Sequence, residues 1–253
     1  MRGGKEVTMN GSDYIRIASD LVKDAYEKQK STVDKVAGLI ADKVESHKNV
    51  FVFGCSHAGI IAEEVFYRTG GLAVINPVFF PAMMLDTRPI TMTSSLERVP
   101  GIGRIIFEQN GLKEGDLLII HSVSGRNTVP VELALTANEH GVETVCITNL
   151  NYSKAVASRH PSGKRLFEVC KTVLDNMGEA GDAAVTVDGV PEKIGPTSTV
   201  VGAALINAVV IDAVNKMTAR GMIPPVLMSA NLDGGDEHNA RIFKEYKANI
   251  FYM

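Results

Sequence analysis

The run IIHSVSGRNTVPVELALTANEHG begins at Ile119 and ends at Gly141. Its apolar start stops at Ser122, Ser124 and Gly125, and Arg126, Asn127 and Thr128 follow before a helix-like stretch. Small hydroxyl and amide groups just ahead of a helix suit an anion. The first backbone N–H groups of a helix lack internal partners, and its dipole adds positive potential there. Ser122, Ser124 and Thr128 can donate hydroxyl protons to phosphate oxygens, Gly125 permits close backbone approach, and Pro130 falls in the first turn, where its missing N–H does no harm. A plain capped turn needs one such residue; this turn has four candidates with Asn127. A second turn, Gly54-Cys55-Ser56-His57-Ala58-Gly59, offers Ser56 as hydroxyl donor or cap. It lacks the middle glycine of a dinucleotide fingerprint and the Gly-Lys-Ser/Thr of a Walker loop, which excludes those two nucleotide signatures. His57 and His121 adjoin the two turns and read as ligand-orienting groups.

These turns need strands that end beside one another. Short apolar runs over 49–53, 72–75, 116–121 and 144–148 read as strands, with a fifth over 172–175 or 184–187. Helical spacing covers 12–47, 58–69, 129–140, 199–220 and 236–249, whereas 76–104, with Pro77, Pro81, Pro89 and Pro100, reads as irregular. Continuous apolar strands alternating with helices indicate a parallel sheet covered on both faces. Such sheets bind ligands at the carboxyl ends of their strands, near a topological switch point. Both polar turns fall there.

The chain has 253 residues, 45% hydrophobic and 22% charged, enough for one sizeable core. A net charge of −3 gives no bulk attraction to nucleic acid or to an anionic membrane. Cys55, Cys146 and Cys170 are an odd number without CxxC spacing and read as free thiols of a reducing compartment. No leader is visible over 1–10, and the apolar run 200–214 contains Asn207 and Asp212 and is short for a bilayer span. A cytoplasmic chain with no membrane or nucleic-acid partner is expected.

The segments VFVFGCSHAGIIAEEVFYRTGGL, HSVSGRNTVPVELALTANEHGVETVCITN and GPTSTVVGAALINAVV resemble the sugar isomerase (SIS) domain of phosphosugar isomerases and phosphosugar-binding proteins. The likeness runs over about 12–220. It implies an α/β fold: a three-layer αβα sandwich on a five-stranded parallel sheet, flavodoxin-like, with extra amino- and carboxyl-terminal helices. The whole chain, 1–253, is then one SIS domain with a helical extension over about 12–47. An insert over about 151–195 departs from the compact family pattern. The resemblance implies a homodimer or homotetramer, a phosphorylated sugar as ligand and no organic cofactor. It assigns the phosphate to Ser122, Ser124 and Asn127 with Ser56. Arg126 stands at a position that varies among relatives, Thr128 follows by position, and Thr197 and Ser198 match a segment that touches the sugar.

The implied reaction is aldose–ketose isomerisation through an enediol, which needs a base and a ring-opening or carbonyl-polarising group. Non-catalytic phosphosugar binding, deamination and ether cleavage are the alternatives. Glu237 and His238, after Gly234-Gly235, are the expected base and ring-opener, in analogy with a Glu and a His that a partner subunit often brings. Charges capping a first helical turn are the other reading. Glu64 resembles a glutamate that binds zinc in sedoheptulose 7-phosphate isomerase. Here the helix lacks the matching His, so no metal is expected. Glu64 is a third catalytic candidate: eight residues beyond Ser56, roughly 12 Å along a helix at the standard rise, it can reach the sugar end of a ligand but not the phosphate. Glu179 and Asp182, beyond a strand end, are minor catalytic candidates.

Overall fold

A computed structural model describes residues 8–253; most of the stretch read for a leader lies outside the described residues. Five strands, β1 (Val50–Gly54), β2 (Ile75–Val78), β3 (Leu117–His121), β4 (Glu143–Thr148) and β5 (Thr172–Asp175), form one parallel sheet in the order β2-β1-β3-β4-β5. Each strand presents alternate residues to opposite faces. Val50, Val52, Leu117, Ile119, Val145 and Ile147 enter one core. Phe51, Phe53, Leu118, Ile120 and Cys146 enter the other. Burying both faces explains why the strand sequences show no polar alternation.

The amino-terminal helices are α1 (Gly11–Lys28) and α2 (Lys30–Glu45). The helical spacing read over 12–47 is realised as two helices that break at Gln29, whose backbone leaves the helical region at φ −125°, ψ 17°. Its side-chain amide is the cause. Nε2 donates to Asp175 O at 2.6 Å, and Oε1 accepts from Asp175 N at 2.7 Å, so Gln29 pairs with the edge strand β5 as another strand would. The first core is closed by α2, by α3 (Ile60–Val65) and by a long helix near the carboxyl terminus. The helix expected over 58–69 is shorter, because Ser56–Gly59 forms a 3₁₀ turn and Phe66 is extended.

The strand expected over 72–75 is displaced. Ala73 N donates to Pro225 O at 2.9 Å and Leu72 bridges Val226, so the strand in the main sheet begins only at Ile75. Pro77 is tolerated because β2 is an edge strand. The stretch 76–104 is not wholly irregular: it carries α4 (Thr91–Leu96) and the start of α5 (Ile102–Gln109). With α6 (Thr128–Glu139), α5 covers the second face through Ile106, Phe107, Val129, Leu133 and Ala137. Of the two alternatives for the fifth strand, 172–175 holds. After α7 (Leu150–Ala155), the pair β6 (Ala183–Val185) and β7 (Ile194–Pro196) forms a separate antiparallel hairpin.

Helix α8 (Ser198–Ala219) has 22 residues and a most apolar 18-residue window of mean hydropathy 1.6, so length and composition alone suffice to cross a bilayer, contrary to the shorter run read from sequence. It buries Val201, Leu205, Ile206, Val209, Val210, Ala213 and Met217 against α2 and the sheet, as a core helix does. A fully buried aliphatic side chain contributes about 1.5–3 kcal/mol, so this packing fixes where the start of α8 meets the sheet. The final helix, α9 (Gly235–Glu245), packs Ile242 on Ala73, Leu227 and Ile250 beyond the β2 edge.

Candidate functional site

In the order β2-β1-β3-β4-β5 the direction of winding reverses between β1 and β3, and ligands of doubly wound sheets sit at such a point. Gly54 and His121, the last residues of these strands, are register partners. The turns that follow form a crevice of about 210 Å³, small by the standard of drug-sized or dinucleotide sites. Ser56, His57, Ser122, Ser124 and Asn127 line it together. The first turn is tight: a Cβ on Gly54 would lie 2.3 Å from Ala58 O. Ser56 adopts φ +53°, a left-handed conformation that side chains other than glycine rarely take and that often marks a functional turn.

The second turn is held from behind. Thr148 Oγ1 donates to Ser122 O at 2.7 Å and to Val123 O at 3.1 Å, and Leu166 N donates to Gly125 O at 2.8 Å. Gly125 has φ +57° and is packed against Ser153, Thr148 and Leu166. Asn127 is the N-cap of α6 but its side chain makes no capping bond. Instead Val129 N donates to Glu97 O at 3.0 Å. The N–H groups of Ser124, Gly125, Arg126, Asn127 and Thr128 have no acceptor among the described residues. Carbonyls are tied down while five consecutive N–H groups stay free at a helix amino terminus, an arrangement that receives an anion.

Four further groups meet the crevice. Glu97 and Tyr152 carry no sequence signal: one lies in the proline-rich stretch, the other opens the insert. His121 ends β3 beside the serine-rich turn, and Asp182, a minor catalytic candidate from the sequence, immediately precedes β6. Glu97 Oε2 accepts from Asn127 Nδ2, and Arg159 Nη1 donates to Asn127 Oδ1 at 2.7 Å. Burial raises the Glu97 carboxyl above its ordinary range, opposed by the Asn127 bond and by the guanidinium groups of Arg98 and Arg159. His121 is 1% exposed. Its Nδ1 lies 3.0 Å from Ala58 O, and because a carbonyl only accepts, that nitrogen is assigned the proton. Nε2 is buried without a partner, near Gly202 of α8. Burial lowers the His121 pKa, with the Ala58 bond and Asp182 opposing, so the ring is neutral at pH 7. Asp182, at φ +69°, accepts from Ser198 N at 2.8 Å, Ser198 Oγ at 2.5 Å and Thr197 N at 3.2 Å, and so caps α8 from outside.

The other expected site residues do not line this crevice. Thr128 is fully buried and its hydroxyl donates to Arg159 O at 3.2 Å. Arg126 has a buried Nε with no partner. Thr197 and Ser198 lie buried behind Asp182, one with an unpaired hydroxyl and the other bonded to the carboxylate. Glu64 is ion-paired with Arg68 and accepts from Asn207 Nδ2 at 2.8 Å, on the α3–α8 side. Glu237 is exposed on α9. His238, on the same helix, has Nε2 3.0 Å from Val226 O and Nδ1 3.2 Å from an Arg241 nitrogen. Within one chain, α9 packs beyond the β2 edge, which keeps both residues away from the β1–β3 switch point.

A family model described as SIS domain matches residues 13–149. A UPF0309 protein of Shouchella clausii is 46% identical over 95% of this chain and 98% of its own length. A UPF0309 protein of Oceanobacillus iheyensis is 48% identical over 90% of this chain and 92% of its own. Among solved structures, a phosphoheptose isomerase from Neisseria gonorrhoeae superposes with a TM-score of 0.50 at 13% identity, covering 82% of this chain and 96% of that one, a likeness of fold. With its serine-rich turn inside the matched span and its relatives aligned nearly end to end, the chain belongs to the SIS-domain family, among the UPF0309 proteins.

Proposed function

We propose that the chain binds a phosphorylated sugar in the β1–β3 crevice and interconverts its aldose and ketose forms through an enediol. The observation that carries the reading is the row of free N–H groups from Ser124 to Thr128, flanked by the Ser122, Ser124 and Ser56 hydroxyls. A phosphate there receives neutral donors and the α6 dipole. Membership of the SIS family supports the sugar as what the phosphate carries. The reaction moves protons within one substrate and calls for no organic cofactor. A second reading is binding without turnover. It is favoured by the absence from the crevice of all three side chains first expected to be catalytic, Glu64, Glu237 and His238. A second copy of the chain completes the assembly in this proposal, covering the outer sides of α1 and α8.

Calorimetry with pentose, hexose, heptose and amino-sugar phosphates tests the binding half. At least one phosphate should bind ten times more tightly than its unphosphorylated sugar. Ser124→Ala should weaken that binding about tenfold or more, since a hydrogen bond to a charged group contributes about 1.5–3 kcal/mol. Equal affinity for sugar and sugar phosphate would remove the anion site. Proton NMR in heavy water separates the two readings: deuterium entering beside the carbonyl marks an isomerase, and tight binding without exchange marks a binder.

A further inference from the structure

We propose that Glu97 is the catalytic carboxyl of the crevice, taking the proton from the carbon beside the substrate carbonyl and returning it to the neighbouring carbon. The inference rests on the isomerase reading and supplies the group that reading lacks.

The carboxyl groups near the site sort themselves by what already holds them. Asp182 accepts from two N–H groups and one hydroxyl, so both its oxygens are already engaged in capping α8. Glu179 pairs with Lys193. Glu64 pairs with Arg68 and Asn207 outside the crevice, and Glu237 is exposed on α9. Glu97 differs in all respects that matter. It lines the crevice, and its only side-chain partner among the described residues is Asn127 Nδ2, held through Oε2, which leaves Oε1 without a protein donor.

Its position is also fixed. The Glu97 backbone carbonyl accepts from Val129 N, and the carboxylate is joined through the Asn127 amide to Arg159. Two anchors, one on the backbone and one on the side chain, hold the residue against the first turn of α6. An amide between guanidinium and carboxylate orients the carboxylate without neutralising it, whereas a direct bidentate ion pair would occupy both oxygens. The charged and titratable groups around it are Arg98 on its own segment, Arg126 and Arg159 near Asn127, and the Cys55 thiol across the crevice, which burial keeps protonated. Burial also raises the Glu97 pKa itself, the direction a base working near neutrality needs.

The step balances as follows. Carboxylate Oε1 takes the proton from C2 of the open aldose, and the C2–H electron pair forms the C1–C2 double bond while O1 takes a proton from water. The enediol then loses its O2 proton to water as the carbonyl forms at C2, and Glu97 returns its proton to C1. Substrate and product are isomers, and the carboxylate is regenerated. The same arrangement changes the role of Asn127. Its side chain positions Glu97 and leaves phosphate to the N–H groups and serine hydroxyls.

The test uses the full chain and a phosphosugar from the panel whose wild-type turnover is measured by NMR. Glu97→Gln should slow deuterium exchange at C2 by about 10²–10⁴-fold, while its affinity for that phosphosugar and for inorganic phosphate stays within threefold or tightens. Glu97→Ala should be inactive and regain turnover with added formate, a small carboxylate that a purely structural residue would not admit. Both variants keep the backbone carbonyl that caps α6. Exchange by Glu97→Gln within threefold of wild type would overturn the assignment while leaving the isomerase reading intact. So would loss of activity in Glu97→Ala that formate does not restore and that is accompanied by weakened phosphate binding. A wild-type chain that binds phosphosugars yet exchanges none would overturn the isomerase reading and this assignment with it.

Discussion

Gly125 is the position at which one added methyl group tests the construction of the serine-rich turn proposed to hold phosphate. Its φ is +57°, and a Cβ built there would lie 2.9 Å from Ser153 Oγ, 3.1 Å from Thr148 Oγ1 and 3.3 Å from Leu166 Cβ. A left-handed conformation costs a residue with a Cβ about 1–2 kcal/mol. The contacts add to this unequally. Ser153 Oγ has no hydrogen-bond partner and can rotate away. Thr148 Oγ1 cannot do so freely, because it donates to Ser122 O and Val123 O and thereby holds the turn. Pushing it back by a few tenths of an ångström costs on the order of 1–2 kcal/mol, the lower range for overpacking. Gly125→Ala should therefore destabilise the chain by about 2–4 kcal/mol. For a chain of this size that is a fall of roughly 4–16 °C in Tm. The Ser122 and Val123 carbonyl anchors shift with Thr148, so affinity for inorganic phosphate should fall at least threefold. Scanning calorimetry and titration calorimetry read the two effects. Gly125→Asn keeps the Cβ contacts but tolerates the left-handed backbone better, so it should recover part of the Tm and little of the affinity. A Gly125→Ala protein with Tm within 1 °C of wild type and unchanged phosphate affinity would refute the reasoning.

Two other outcomes follow, one from a buried group and one from exposed apolar ones. His121 is neutral in the folded chain because burial lowers its pKa from 6.5, so at mildly acidic pH the unfolded chain binds a proton that the folded chain refuses. Stability then rises with pH through that window and is lost as pH falls below about 6.5; His121→Phe should flatten this acid loss in denaturant titrations between pH 8 and 5, and a wild-type-to-variant difference independent of pH would count against it. Ile15 is 63% exposed on α1 and Ile211 and Val200 are 61% and 44% exposed on α8, apolar area of the kind that a second copy covers. Sedimentation at micromolar concentration should give a dimer or larger species, and a fully active monomer would contradict it.

Much of this architecture was legible because its signals are local. The apolar runs at 49–53, 116–121 and 144–148 give β1, β3 and β4 almost residue for residue, and the serine-rich turn announces the carboxyl end of β3. What was not legible depends on contacts between distant segments. The break at Gln29 is decided by Asp175, 146 positions away. The displacement of β2 is decided by Pro225 and Val226. The site divides in the same way. Ser56, His57, Ser122, Ser124 and Asn127 could be placed from motif and turn chemistry. Glu97 could not, since nothing in a proline-rich connection indicates that its carbonyl caps a helix starting 31 residues later. The Glu237–His238 pair has the composition of a proton shuttle, yet the packing of Ile242 against Ala73 and Ile250 carries α9 to the far edge of the sheet.

The boundary of the family match has a physical counterpart in the crevice. Residues 13–149 contain both polar turns and Glu97, that is, the proposed phosphate cradle and the proposed base. The remaining wall comes from outside that span. Tyr152 and Asp182 line it, Arg159 holds Asn127, and the Asp182 carboxylate fixes the start of α8 through Thr197 and Ser198. A phosphate is the same on every sugar, so its cradle can be built from a shared segment. Chain length, stereochemistry and substituents differ from sugar to sugar and must be read at the opposite wall. If the proposed function holds, substrate choice is therefore expected to reside in the segment from Tyr152 to Ser198, which lies beyond the residues that the family model matches. In that wall Asp182, a non-glycine residue at φ +69°, accepts from three donors at the start of α8.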